Sequence, residues 1–312
     1  MKNNLKDCTL CPRACHVDRT QGQTGICGMG AELMLSRAAL HEWEEDCISG
    51  TKGSGAVFFT GCNMRCIFCQ NHKIAVGQDG LLITEERLAE IFLELQNQGA
   101  HNINLVTPTH FVPQICTALD LARAKGLYLP VVYNTSGYEC AETIRMLDGY
   151  VDIYLPDFKY MDVDVAKEYS KAPDYPERAK EAIEEIVRQV GECVFDEETG
   201  LIKKGVIVRH LVLPGHVMNS KRVLKYLFGT YGNQIYYSIM CQYTPMPHMS
   251  EHPLLKRKIT RREYDKVLDY ALALGIENGF MQDGKTAKES FIPSFDGVGV
   301  LSKQNDMLNT LL

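Results

Sequence analysis

The chain has 312 residues, 45% of them hydrophobic, and a formal net charge of −6, which suits one large domain or one domain plus a small module. Charges of both signs are interspersed and no basic stretch stands out, which argues against nucleic-acid binding by bulk electrostatics. The opening MKNNLKDCTL lacks the apolar core of a signal peptide, and no segment approaches the roughly 20 apolar residues of a membrane span, so a soluble, cytoplasmic protein without membrane contact is expected.

Residues 1–50 are rich in Cys, Gly and charge, and their apolar runs are short. CTLCPRACHVDRTQGQTGIC places Cys8, Cys11, Cys15 and Cys27 within one stretch. Twelve cysteines in a chain without a secretory signal do not suggest a disulfide framework, and clustered thiols in a reducing compartment more often bind metal. Four thiolates suit either a structural zinc or a fully ligated second iron–sulfur cluster, and a metal would staple a segment too small for its own core. Residues 1–50 therefore read as a four-cysteine metal-binding module. HEWEED (41–46), with four carboxylates and the sole Trp, reads as a solvated acidic turn, with a substrate or partner contact as the second reading. Cys47 reads as a small buried thiol, and TKGSG (51–55) as a linker.

The first apolar, β-branched run is AVFFTG (56–61), a candidate strand. It delivers TGCNMRCIFCQN, with Cys62, Cys66 and Cys69 spaced C-x3-C-x2-C. That spacing is too tight for a helix to face all three sulfurs one way, but a loop can wrap them around a cluster. Iron–sulfur cubes prefer four thiolates and a structural zinc wants four protein ligands. Three local ligands leave one iron of a four-iron cluster open to a small molecule.

Five more candidate strands follow: NINLVTP (102–108), LPVVYNTS (129–136), VDIYLPDFK (151–159), VIVRHLVLPG (206–215) and IYYSIMCQYTP (235–245). They are nearly continuous apolar stretches, as strands buried on both faces are. Between them lie helical patterns at 84–99, 112–126, 141–149, 176–191, 220–229 and 260–275. Thr84 is a suitable N-cap and Gly99 a suitable C-terminal stop for the first. Such alternation means βαβ units and a parallel sheet, here an α/β partial (βα)6 TIM-type barrel over residues 51–282. The Gly-rich tail, 283–312, with Phe291, Ile292 and Phe295, is expected to pack back on the barrel, across its mouth.

Pro108, Pro156, Pro214 and Pro245 stand at or near the ends of four runs, and proline cannot continue a central parallel strand. Polar residues crowd the same ends: Thr107 and Thr109, Asn134 and Ser136, Asp157 and Lys159, Gln242. In a parallel barrel the C-terminal face carries the chemistry, so these ends are expected to share one mouth. His110, His210, His216 and His248 also lie near strand ends or loops; each is a candidate acid or base, and a hydrogen-bonded structural histidine is the more ordinary reading. No catalytic residue is assigned.

Cys62-x3-Cys66-x2-Cys69 after a first strand, with Phe68 before the last Cys, resembles the signature of the radical S-adenosylmethionine (SAM) superfamily. The resemblance spans roughly residues 33–290 and points to the pyruvate formate-lyase activating enzyme-like branch. It rests on LPDFKYMD (155–162), VIVRHLVLPG (206–215), YNTSGY (133–138) and QYTP (242–245). It implies a [4Fe-4S] cluster on the three thiolates, SAM on the open iron, reductive cleavage to a 5′-deoxyadenosyl radical, and hydrogen abstraction from a substrate. Phe68, Gln70, Asn104, Thr107, Thr109, Asn134, Ser136, Asp157, Lys159, Arg209 and Gln242 are the implied cofactor contacts. A cationic Lys159 or Arg209 suits the methionine carboxylate, and Asn, Ser or Thr the ribose hydroxyls.

The branch's G-G-E strand end is absent; NLVTPTHFVP (104–113) stands there with no glutamate, so backbone carbonyls around Val106–Thr109, or the Thr107 and Thr109 hydroxyls, are the substitutes. The implied partners are an electron donor such as flavodoxin or ferredoxin and, as substrate, a glycyl radical enzyme or a small-molecule metabolite. An iron–sulfur electron carrier and a zinc-dependent binding module are the readings from other classes.

Overall fold

A computed structural model describes residues 5–246, 251–282 and 293–302; His248, Phe291 and Ile292 lie outside the described residues. In chain order the elements are β1 (Leu33–His41), α1 (Asp46–Ser49), β2 (Ser54–Phe59), α2 (His72–Ala75), β3 (Leu81–Ile83), α3 (Glu85–Asn97), β4 (Ile103–Val106), α4 (Val112–Ala124) and β5 (Val131–Thr135). Then come α5 (Ala141–Arg145), β6 (Ile153–Pro156), α6 (Val163–Ser170), α7 (Tyr175–Val190), β7 (Val194–Phe195), β8 (Ile202–Leu211), α8 (Val217–Tyr231), β9 (Tyr236–Met240), α9 (Arg261–Leu274) and β10 (Gly279–Met281).

The strands form one open sheet in the order β3-β1-β2-β4-β5-β6-β8-β9-β10, with β7 paired to β8. From β2 to β10 every neighbouring pair along this path is parallel. The fold is thus α/β with a mostly parallel sheet, as the strand–helix rhythm predicts. Every residue of β2, β4 and β6 is buried, the pattern of strands covered on both faces. The helices begin and end where local chemistry directs. Thr84 Oγ1 accepts from the Arg87 amide at the start of α3, and Thr260 and Glu263 form a reciprocal capping box at α9. Around the outside α3 packs on α4, α5 on α7 and α8 on α9.

The structure adds strands to the expected six. β10 extends the parallel sheet beyond β9, and β1 pairs antiparallel with β2 from the other side. Residues 33–41 are therefore built into the barrel sheet and do not stand apart with the cysteine-rich segment before them. TKGSG is not a free linker: Gly53 N donates to Ser49 O at 2.8 Å and β2 already begins at Ser54. The described part of the tail lies along β1, with Gly297 N on Ser36 O and Ala38 N on Val298 O, both at 2.9 Å. Arg87 of α3 holds the carbonyls of Val300 and Leu301 at 3.0 Å.

Candidate active site

The C-terminal ends of the parallel strands line one cavity of about 900 Å³. The loop after β2 contributes Cys62, Cys66, Phe68, Cys69 and Gln70; the ends of β4, β5 and β6 contribute Thr107, Asn134, Ser136, Asp157 and Lys159; β8 contributes Arg209, and the segment after β9 contributes Gln242. Strand ends far apart in the chain thus meet at one mouth, as the proline and polar pattern predicts.

Two devices shape the three-cysteine loop. Gly61 has φ +90°, and a Cβ there would lie 2.8 Å from the carbonyl of Cys27, so only glycine lets the loop pass under the N-terminal segment. Arg65, also left-handed at φ +60°, turns its guanidinium outward to the carbonyl of Ile26, at 2.9 Å from Nε and 2.7 Å from Nη2. Within the loop, Met64 N donates to Cys62 Sγ at 3.4 Å, and from the end of α6 Ser170 Oγ donates to Cys66 Sγ at 3.0 Å. Burial pushes all three thiols above the ordinary range, Cys69 to about 12. The charges of Cys66 and Cys62 raise Cys69 further, so the sulfurs share one electrostatic environment, while Lys159 pulls all three down. Buried, mutually coupled thiols with N–H and O–H donors aimed at sulfur suit a cationic iron centre that would take them as thiolates.

Phe68 is buried edge-on against Tyr169 and Tyr243, with ring centroids 6.4 and 6.3 Å away. Gln70 Nε2 reaches the carbonyl of Gln242 at 3.2 Å, joining the cysteine loop to the end of β9. Thr107 has φ +58°, a strained conformation for a β-branched residue. Its amide donates to Asn134 O at 2.9 Å, which fixes the turn at the mouth. Gly137 has φ +76°, and a Cβ there would collide with the carbonyl of Asp157, so glycine lets the β5 end close onto the β6 end.

Both cations expected to await a carboxylate are already paired. Lys159 Nζ donates to Asp157 Oδ2; burial works to lower its pKa, but the Asp157 charge holds it well above the usual lysine range. Arg209 donates through Nε to Glu45 Oε1 at 2.9 Å and through Nη2 to both Glu44 and Glu45. HEWEED is therefore not a solvated turn at these two positions: the Glu44 and Glu45 side chains are 9% and 7% exposed. β1 swings the segment over the mouth, and an arginine inside an apolar barrel requires a counter-charge. That requirement, read from Arg209, is the sequence signal that could have found them. Trp43 lines the same cavity, 60% exposed.

Two implied contacts sit elsewhere. Thr109 is buried and donates to Glu139 Oε1 at 2.6 Å, so its hydroxyl serves that carboxyl. Asn104 is fully buried behind Glu44, donating Nδ2 to Glu44 Oε1 at 2.9 Å, with its Oδ1 unpartnered. The described histidines are structural in their contacts. His110 Nε2 donates to Thr60 O at 2.7 Å, and burial lowers its pKa to about 3. His210 lies between Phe158 O and Ser220 Oγ, lowered by burial to about 4. His216 shares a 2.9 Å hydrogen bond with the Tyr169 hydroxyl.

The N-terminal cysteines lie against the outer side of the same loop. Burial raises the Cys11 thiol, and the charges of Cys27 and Cys8 add to this; Cys27 is likewise influenced by Cys8 and Cys15. Among the described residues no three His, Cys, Asp or Glu side chains converge as ligands of a single ion.

The radical SAM superfamily profile matches residues 56–227, more than half of the chain. The chain belongs to the radical SAM superfamily. Radical SAM membership implies a four-iron cluster, SAM as cofactor, its cleavage to a radical, and a reductant. Over 280 residues the chain is 29% identical to an uncharacterized protein of Methanocaldococcus jannaschii, covering 86% of this chain and 75% of that one. Among solved structures it is similar to a radical SAM methyltransferase from Sphaerobacter thermophilus, with TM-score 0.52 and 15% identity, covering 73% of this chain and 66% of that one. It also matches Streptococcus suis SuiB bound to S-adenosylmethionine, with TM-score 0.47 and 14% identity, over 76% of this chain and 52% of that one. Among the described residues no helix is long and apolar enough to cross a membrane.

Proposed function

We propose that the protein is a radical SAM enzyme acting on a small molecule held in the barrel cavity. Cys62, Cys66 and Cys69 would each hold one iron of the cluster, leaving the fourth iron to SAM. When bound, cluster and cofactor supply reductive cleavage to a 5′-deoxyadenosyl radical and hydrogen abstraction from the substrate. The chain's own residues orient, neutralise and exclude water. Phe68 anchors the cysteine loop against Tyr169 and Tyr243, Lys159 brings positive charge toward the thiolates, and Asn134 and Ser136 offer groups suited to ribose hydroxyls. By the resemblance to the activating enzymes, backbone around Val106 and Thr107 would take the place of their glutamate. What carries the reading is that the three thiols line the same cavity as the polar strand ends. Its volume of about 900 Å³ is of the size that small-molecule sites occupy. Electrons would come from a donor such as flavodoxin or ferredoxin.

The test is anaerobic reconstitution with iron and sulfide, followed by dithionite and SAM. Formation of 5′-deoxyadenosine, with iron content lost in Cys66→Ala, is expected. No 5′-deoxyadenosine together with unchanged iron in the variant defeats the reading.

A second reading, activation of a glycyl radical enzyme, is favoured by the likeness of LPDFKYMD and VIVRHLVLPG to the activating enzymes' strand ends. It requires a protein glycine to reach the cavity, and a glycyl radical signal in a partner protein would be its mark. For the N-terminal segment we propose metal binding by Cys8, Cys11, Cys15 and Cys27, as zinc or a second cluster. Element analysis of Cys11→Ser tests it: metal equal to wild type rules the site out.

A further inference from the structure

The three sulfurs of the cysteine loop meet donors of different kinds. Cys62 and Cys69 are met by amides of the loop itself, among them those of Met64 and Asn71. Cys66 is met, besides its own amide, by a side chain from another element. Ser170, the last residue of α6, donates its hydroxyl to Cys66 Sγ at 3.0 Å. Ser170 is fully buried, so the contact is shielded from solvent.

The hydroxyl forgoes its usual partner to make that contact. A serine or threonine on a helix ordinarily donates to the carbonyl four residues back, as Thr117 does to Pro113 at 3.2 Å and Thr230 to Tyr226 at 2.8 Å. Ser170 turns to sulfur instead. Its one proton is then spent, so in the 2.8 Å hydrogen bond between the Ser170 and Tyr160 hydroxyls Tyr160 is the donor. Donation from Tyr160 polarises the Ser170 hydroxyl and strengthens its bond to Cys66.

Both members of this relay are held in place. Tyr160 is fully buried, its ring edge-on to Tyr175 with centroids 5.3 Å apart. The end of α6 is docked on the cysteine loop, with Ile67 N donating to Tyr169 O at 2.9 Å. Arg13 Nη2 donates to Ser170 O at 3.0 Å. Ser170 is therefore positioned through its backbone and its hydroxyl at once.

We propose that Tyr160 and Ser170 are positioning residues that raise the reduction potential of the cluster through Cys66. This rests on the reading that Cys62, Cys66 and Cys69 hold that cluster. Reduction adds one negative charge to a centre that spreads its charge over its sulfurs. A hydroxyl proton aimed at one of them stabilises the reduced form more than the oxidised one. The pair thereby eases electron transfer from the reductant that radical SAM chemistry requires.

The test uses the full chain, reconstituted anaerobically with iron and sulfide, in the absence of SAM. Midpoint potentials are read from a redox titration followed by electron paramagnetic resonance. Ser170→Ala is expected to keep its iron and to move to a more negative potential. Its reduction should become about tenfold less favourable, which is about 59 mV for a one-electron couple. Tyr160→Phe keeps the ring and the Ser170 proton, so its potential should move the same way by less. Electron–nuclear double resonance of the reduced wild type should show an exchangeable proton, lost in heavy water, that is missing from Ser170→Ala.

An unchanged or more positive potential in Ser170→Ala overturns the proposal, and the same result in Tyr160→Phe does so too. Identical exchangeable-proton spectra in wild type and Ser170→Ala are a third refutation. Should Ser170→Ala fail to hold iron, Tyr160→Phe decides, since it removes only the tyrosine oxygen and leaves the donor on sulfur in place. Wild-type protein that assembles no iron–sulfur cluster sinks the radical reading and this proposal together. A cluster whose potential ignores both variants sinks the proposal alone.

Discussion

The Nε of Arg13 donates to the backbone carbonyl of Asn63 at 2.8 Å, tying the segment between Cys11 and Cys15 to the loop that carries Cys62 and Cys66. The same guanidinium reaches Met64 O at 3.2 Å and Ser170 O at 3.0 Å, and lies over the Tyr138 ring at 5.1 Å. Arg65 returns the contact from the other loop, onto Ile26 O beside Cys27. Two cysteine-bearing loops are thus cross-latched by two arginines.

Arg13→Ala strips donors from several partly buried carbonyls at once. A loss of about 1–3 kcal/mol in unfolding free energy is expected, measured by urea titration. Arg13→Lys should fall well short of restoring it, because one ammonium cannot span the acceptors a planar guanidinium bridges. Reconstituted Arg13→Ala should also retain less iron per chain, since the loop that presents the thiols is no longer held from behind.

Arg209→Leu leaves Glu44 and Glu45 buried without a cation. Breaking a buried pair in this way costs about 3–5 kcal/mol. The variant should unfold at markedly lower urea at pH 7. Replacing Glu44 and Glu45 by Gln in the same chain should recover part of the loss. If Arg209→Leu unfolds like wild type, the pairing described here is not what holds β1 over the mouth.

Glu139 gives a pH signature. Burial lifts its carboxyl from the ordinary 4.5 to about 7, although Thr109 and Thr135 donate to Oε1. With the folded value above the unfolded one, its contribution is fully present below pH 4.5 and is lost as pH rises through about 7. Glu139→Gln removes that loss. The stability difference between the variant and wild type should therefore grow in favour of the variant from pH 4.5 to 7.5, by a magnitude on the order of 2–3 kcal/mol. A difference that does not change with pH contradicts the assignment.

Thr107 is left-handed, a region that disfavours side chains by about 1–2 kcal/mol. Thr107→Gly should be at least as stable as wild type in thermal melts, since relief of strain offsets the added freedom of the unfolded chain. SAM affinity measured in parallel by equilibrium dialysis should drop, because the strained turn lines the cavity. A less stable glycine variant would mean that the Thr107 side chain, and not the backbone, secures the turn.

Much of this was open to reading from residue order alone. The run of apolar strands, the cap at Thr84, and the prolines at strand ends depend on periodicity and backbone geometry over a few residues. The Cys62-x3-Cys66-x2-Cys69 spacing is equally local, and it led to the superfamily. β1 was hidden because Leu33–His41 lies in a segment dominated by Cys, Gly and charge, and its strand character depends on pairing with β2. HEWEED looks like a surface turn in isolation; only the reach of the segment after β1 across the mouth to Arg209 of β8 turns Glu44 and Glu45 inward.

By itself, then, the sequence determined the six central parallel strands, the main helices between them and which three thiols share a loop, since those follow from short-range spacing. The tertiary structure alone decided the charge partners. Lys159 and Arg209 look like free cations along the chain, and three-dimensional packing hands one to Asp157 and the other to two glutamates 164 and 165 residues away. Pairing of that kind is set by where the sheet brings distant side chains out of water, where an unmatched charge cannot stay, and no local pattern encodes it.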